Sequence, residues 1–400
     1  MIRRLFKRET RNAPAPEGLF DTFWIAGYES ATHINIHGTR LDIVAAVQHD
    51  RQVAEDYALL RSVGIQTARD AVRWHLVDRA GRYDFSSLAP FVAAARQHEI
   101  QVLWDLCHYG FPDDVDLFSP QFVTRFAGYC GAVAHFIREQ SDAIPFYTPI
   151  NEISFFAWSV GDRAVFHPFA RGRAAEVKRQ LVRAAIAGIE AIWAVDRRAR
   201  IIHVDPIIHV VPPRRRPDVA QAAADQRASQ WEAWDMLAGR RESSLGGDPR
   251  YLDIIGANFY YDNQWEFGGG RLHWEEGERD DRWMPLSRML AAVWERYRRP
   301  LLLSEKSHFG VGRAPWLHMV TDELVAARVL GVPVEGCCLY PILDRMDWEN
   351  PNHWHNSGLW DLPPDPDGTL RRVLNEPYAA ELRRAQTLLS SEQSAVGGQQ

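Results

Sequence analysis

The sequence predicts a single (β/α)8 (TIM) barrel with its active site at the C-terminal face of the strands. Three observations predict it: eight short apolar, β-rich runs, helical patterns between most of them, and polar or charged residues where the runs end. A chain of 400 residues suits one such barrel, because α/β barrels run past the usual domain size. A doubly wound sheet is the rival. It wants a Gly-rich phosphate loop after an early strand, and the sequence has none.

The strand runs are residues 23–27, 65–72, 100–106, 144–151, 201–207, 252–259, 301–305 and 335–342. Helical spacing is clearest in 51–62, where Val53, Ala54, Tyr57, Ala58 and Leu60 share a face. The same pattern recurs in 88–97, 121–138, 174–195, 219–237, 286–297 and 316–330, with caps such as Ser119-Pro120 and Thr321. Three long irregular stretches, 210–217, 263–282 and 344–369, each follow a strand, which puts them on the C-terminal rim. The stretch 239–248 precedes a strand and belongs at the opposite end. Residues 1–18 read as a flexible basic tail, 19–388 as the barrel, and the Ser-, Gln- and Gly-rich residues 389–400 as a disordered tail.

Apolar residues make up 46% of the chain and charged residues 24%, as in globular proteins. The net charge of −6 argues against a nucleic-acid partner. No run approaches the ~18 apolar residues of a membrane span. The basic cluster Arg3, Arg4, Lys7, Arg8 and Arg11 is followed by polar, Pro-rich sequence, so it reads as a solvated tail and not a targeting signal. Cys107, Cys130, Cys337 and Cys338 lack zinc-type spacing and read as reduced thiols of a cytoplasmic protein. Nothing in the sequence implies a metal or a cofactor.

Two glutamates carry the chemistry. Glu152 closes Tyr147-Thr148-Pro149-Ile150-Asn151-Glu152, and Glu305 closes Leu301-Leu302-Leu303-Ser304-Glu305. A carboxylate at the end of a buried strand is costly unless something holds it there. Two of them, about half a barrel apart in sequence, fit an acid/base and a nucleophile facing one sugar. Structural ion pairs are the plain alternative. The company of the pair tips the balance: Arg69, His108, Tyr109, Asn151, Asn258 and Tyr260 all fall at strand ends, where a barrel keeps its catalytic groups.

These segments resemble the family 1 glycoside hydrolases (β-glucosidase-like), from roughly Phe23 to Asp361. Phe23-Trp24-Ile25-Ala26-Gly27 and Ser30-Ala31-Thr32-His33-Ile34-Asn35 are similar to the first-strand segment, with His33 and Asn35 where Gln and Glu are usual. Arg69 matches the strand-two arginine. Leu106-Cys107-His108-Tyr109-Gly110-Phe111-Pro112 is similar to the strand-three segment, with Tyr109 for a usual Trp. Thr148-Pro149-Ile150-Asn151-Glu152 matches the acid/base motif, with Ile153 for Pro. Asn258-Phe259-Tyr260 matches strand six. Ser304-Glu305-Lys306-Ser307 stands where Thr-Glu-Asn-Gly is usual. Tyr340 through Trp348, then Ser357-Gly358-Leu359, resembles strand eight and its loop.

The resemblance implies a retaining β-glycosidase on a small carbohydrate, with Glu305 as nucleophile and Glu152 as acid/base. Arg69, Asn151, Asn258 and Tyr260 would support the nucleophile and the transition state, Asn151 through the sugar 2-hydroxyl. His33, His108, Tyr109, Tyr340, Asp347 and Trp348 would hold the sugar. A 6-phosphorylated sugar is not expected, because no Lys lies between Asp344 and Leu362.

Flat sugar faces stack on aromatics, which adds Trp354 and Trp360 to Trp348 as candidate platforms. Trp104, Trp193 and Trp294 read as packing. His353-Trp354-His355 reads as loop contacts in preference to a metal site. Lys306 points away from Glu305 if successive side chains alternate. A transglycosidase and a carbohydrate-binding protein without catalysis are the alternative functions.

Overall fold

The computed structural model describes residues 18–397. The expected basic tail falls almost wholly outside them. Eight parallel strands close into a barrel: β1 (Trp24–Gly27), β2 (Thr67–Ala71), β3 (Gln101–Asp105), β4 (Phe146–Thr148), β5 (Arg200–Pro206), β6 (Ile254–Asn258), β7 (Leu301–Glu305) and β8 (Val334–Leu339). Each strand pairs with its neighbours in sequence, and β8 pairs with β1. Helices α1 (His49–Ser62), α2 (Ala89–His98), α3 (Pro120–Gln140), α4 (Ala174–Val195), α5 (Ala220–Ala228), α6 (Leu286–Tyr297), α7 (Arg313–Val329) and α8 (Glu376–Gly397) accompany the strands.

The pleat explains where the chemistry sits. Ile25, Leu103, Phe146, Ile202, Val204, Ile254, Leu302 and Cys338 form an apolar cluster of their own, separate from the larger core that includes most of the buried helix residues. Side chains two residues further along a strand share its face. Above that plug come Arg69, Asp105 and Asn258, and Tyr340, two residues beyond Cys338, caps the plug itself. On β7 the register against β6 shifts between Leu303 and Glu305, and the shift brings Glu305 opposite Asn258. The barrel is therefore apolar below and charged above.

Two expectations need correction. The predicted helix 219–237 is broken: α5 ends at Ala228, a turn follows, and Glu232–Leu237 forms a separate short helix. The side chains of Ser229 and Gln230 bond back to the carbonyls of Gln226 and Arg227 and compete with the helical ladder. At the C-terminus α8 continues to Gly397, through residues whose composition predicts a tail. Extending a helix that packing has already nucleated is easy even for polar residues. On the rim, the loops after β5 and β6 meet in a short parallel pair, His209–Val211 with Gln264–Glu266. No helix among the described residues is long and apolar enough to cross a membrane.

Candidate active site

Strand ends set out the site in order. Arg69 is the middle residue of β2, points into the barrel and is 1% exposed. Its Nη1 donates to Glu305 Oε1 at 2.5 Å; its Nη2 donates to Asp105 Oδ2 at 2.7 Å and Asn151 Oδ1 at 2.6 Å. The flat guanidinium fork is suited to bridging several acceptors at once. Asp105 also accepts from His108 Nδ1 at 2.9 Å. Burial alone would push the Asp105 carboxyl up, but the charges of Arg69 and His108 hold it below the ordinary range.

Glu305 is 2% exposed and takes a second bond from the Tyr260 hydroxyl. Glu152, across the same cavity, meets no cation among the described residues. Asn258 Nδ2 donates to its Oε1 at 2.8 Å, and the Tyr109 hydroxyl donates to its Oε2. Ser304 Oγ fixes the Asn258 amide by donating to Oδ1 at 2.7 Å. Burial first, then the charge of Glu305, pushes the Glu152 carboxyl up to about 8; the Tyr109 and Asn258 bonds pull the other way. One carboxylate is thus clamped by a cation, and its neighbour is set to hold a proton near neutral pH.

Both carboxyls open onto a cavity of about 390 Å3, also lined by Glu29, His108, Tyr109, Tyr260, Tyr340, Arg345 and Trp348. That size is in the small-ligand range. Gly27 makes room for Tyr340: a Cβ there would stand 2.4 Å from the Tyr340 ring. A wider groove of about 740 Å3 shares Phe155, Pro206, Asp262 and Asn263 with the cavity and continues past Trp158 and Trp265.

The structure brings Glu152, Glu305, Arg69, Asn151, Asn258, Tyr260, His108, Tyr109, Tyr340 and Trp348 together. Other expected contacts differ. Asn151 is fully buried, and its amide serves Arg69, Tyr109 and His108, so it presents no free donor to a sugar. The His33 ring lies against that of Phe166, tilted by 30° with centroids 3.7 Å apart, and does not line the cavity; burial pushes it down to about 3. Asp347 is taken by its own loop, accepting from the backbone of Glu349 and Asn350 and pairing with His355 at 3.2 Å. A short carboxylate in a loop readily captures nearby amides. Trp354 also stays off the cavity wall, bridged to Met346 within the same loop.

Sequence reasoning missed Glu29, Asp105, Asp205 and Arg345. Asp205, near the end of β5, accepts from Ser154 N and Oγ at 3.1 and 2.7 Å and so anchors the turn that follows Glu152. All but Arg345 are acidic residues at or just past a strand end, the same signal that marked Glu152 and Glu305. Lys306 turns out of the barrel and donates to the Tyr378 hydroxyl of α8 at 2.8 Å.

No family model and no curated protein matches the chain. Solved structures do. A β-glucosidase from Thermotoga maritima in complex with glucoimidazole superposes with a TM-score of 0.75 at 14% identity, over 93% of this chain and 99% of that one. A family 1 β-glucosidase from the same organism, with isofagomine lactam, gives 0.73 at 15% identity, over 93% and 98%. The chain has a family 1 glycoside hydrolase-like fold. The AHE enzyme from Alicyclobacillus herbarius gives 0.66 at 18% identity, over 86% and 87%.

Proposed function

We propose that the protein is a retaining β-glycosidase acting on a small β-linked sugar by double displacement. The observation that carries the reading is the asymmetry of the carboxyl pair: Glu305 clamped by Arg69, Glu152 buried with only neutral hydrogen-bond partners among the described residues and raised to about 8. A retaining pair needs one carboxylate free of its proton and one acid that keeps it.

In the first step Glu305 attacks the anomeric carbon. The bond to the leaving oxygen breaks, and Glu152 passes its proton to that oxygen. Tyr260 and Arg69 fix the two oxygens of Glu305 for the attack. In the second step water adds to the same carbon, Glu152 takes a proton from it, and the ester to Glu305 breaks. The outer groove beyond Phe155 lies on the Glu152 side and takes the leaving group. Its Trp158 and Trp265 also favour a second reading, transfer of the sugar to an alcohol or sugar acceptor in place of water.

Proton NMR of the first product formed from aryl β-glycosides tests the mechanism. Initial release of the β-anomer agrees with it, and initial release of the α-anomer sinks it. Product analysis with added alcohol separates hydrolysis from transfer.

A further inference from the structure

Contacts lead outward from the nucleophile along one wall of the cavity. Arg69 joins Glu305 to Asn151, Asn151 reaches His108 at 3.2 Å, and His108 Nε2 stands 3.8 Å from Glu29 Oε1. Glu29, 5% exposed, closes this wall. Its Oε1 accepts from the Ala31 amide at 3.1 Å and the Tyr340 hydroxyl at 3.2 Å; its Oε2 forms an ion pair with Arg345 Nε at 3.1 Å. Arg345 is held in turn. Its Nη1 donates to the Met346 carbonyl, and its guanidinium lies over Trp348 at 5.3 Å. Among the described residues its Nη2 has no hydrogen-bond partner, and the side chain lines the cavity.

We propose that Glu29 and Arg345 form the fork that recognises the edge of the sugar remote from its anomeric carbon, and that the pair selects an uncharged sugar over a sugar acid or sugar phosphate. The proposal rests on the glycosidase reading of the site. A carboxylate beside a guanidinium offers acceptors and donors to adjacent hydroxyls. A buried pair built for such bonds discriminates against sugars that leave it unpaired. Around the cavity Arg69 is paired with Glu305 and Asp105, His108 with Asp105, and Arg345 with Glu29. Among the described residues an anionic sugar finds no unpaired cation at this wall and must face the Glu29 carboxylate. Asp347, held by its own loop, leaves this place to the fork.

The test measures kcat and KM for an aryl β-D-glucoside and the matching β-D-glucuronide with wild type, Arg345→Met and Glu29→Gln. The wild type is expected to prefer the glucoside at least a hundredfold. Arg345→Met is expected to raise KM for the glucoside about tenfold with a smaller change in kcat. Glu29→Gln, which frees the Arg345 charge, is expected to shift the glucuronide-to-glucoside ratio upward at least tenfold. Unfolding midpoints near wild type show that each variant is folded; should one fail, Arg345→Gln and Glu29→Ser, which remove the same charges, take its place. An unchanged KM in Arg345→Met, or an unchanged ratio in Glu29→Gln, overturns the proposal. If the wild type turns over neither substrate, calorimetry with free glucose and glucuronate decides the fork independently of the glycosidase reading. Glucose binding that Arg345→Met abolishes supports it. Glucose binding that survives the change, or no preference for glucose, overturns it.

Discussion

Tyr109 donates its hydroxyl proton to Glu152, and both residues hold left-handed backbone, with φ of 66° and 45°. Neither is a glycine, and such backbone costs about 1–2 kcal/mol per residue. It persists only where the surroundings fix it, and it gathers at working sites. Through Asn151 and Arg69 the same phenol is wired to Glu305, so one chain of hydrogen bonds links the two carboxyls.

Removing that phenol moves the pH profile. Glu152 works as an acid in the first step, so activity falls as pH rises through its pKa. The Tyr109 bond favours the ionised form and holds that pKa down, against burial and the charges of Glu305 and Asp205. Tyr109→Phe is expected to move the basic limb of kcat/KM to higher pH by roughly one unit, about the worth of one hydrogen bond to a charge. A pH-rate profile of the two proteins checks it, and a limb that stays put or moves down contradicts it.

Arg69→Met strands Glu305, Asp105 and Asn151 in a buried layer. Removing one partner of a buried ion pair destabilises by about 3–5 kcal/mol. Urea unfolding is expected to show a loss of that size, with turnover reduced at least about a hundredfold. A midpoint like that of the wild type would show that water replaces the guanidinium.

His49 gives the fold its own pH dependence. It is fully buried, with Nδ1 at 2.7 Å from Asp56 and Nε2 at 2.8 Å from Asp70. Burial opposes its charge, but Asp70 and Asp56 raise it to about 9. A raised histidine stabilises fully below its unfolded value of about 6.5 and less as pH climbs through the folded value. The contribution is on the order of 3 kcal/mol. Chemical unfolding at pH 6 and 9 is expected to show His49→Phe far below wild type at pH 6 and much closer at pH 9.

Lys306 acts with the opposite sign. Burial pushes its amine down to about 8, with the Tyr378 hydroxyl as its hydrogen-bond partner. The folded state disfavours the proton, so the penalty is full below pH 8 and fades toward about 10.5. Lys306→Met is expected to raise stability at pH 7 by about 2 kcal/mol, read from the urea midpoint, and to add little at pH 10. A loss of stability at pH 7 would refute this.

The strands were legible because buried parallel strands read as unbroken apolar runs, and their polar ends stand out against them. Glu152, Glu305, Arg69 and Asn258 follow from that contrast. Asp105 and Glu29 carry the same signal, but each lies within four residues of a histidine, His108 and His33, whose chemistry is as plausible from sequence. Position within a motif misled at His33 and Asp347. Whether a side chain faces a cavity depends on its own local bonds, and the Asp347 loop captures its carboxylate with two amides and a histidine. Arg345 was invisible because its partner, Glu29, is 316 residues away in sequence and only folding brings the two to 3.1 Å.

The most direct test of the account is the intact mass of the protein after exposure to activated 2-deoxy-2-fluoro-β-glycosides, with Glu305→Gln treated alongside. The wild type is expected to gain the mass of one sugar, mapped to Glu305 by peptide analysis, and the variant none. Turnover of the parent glycosides with no adduct from any fluorosugar, or an adduct on a residue other than Glu305, would contradict it.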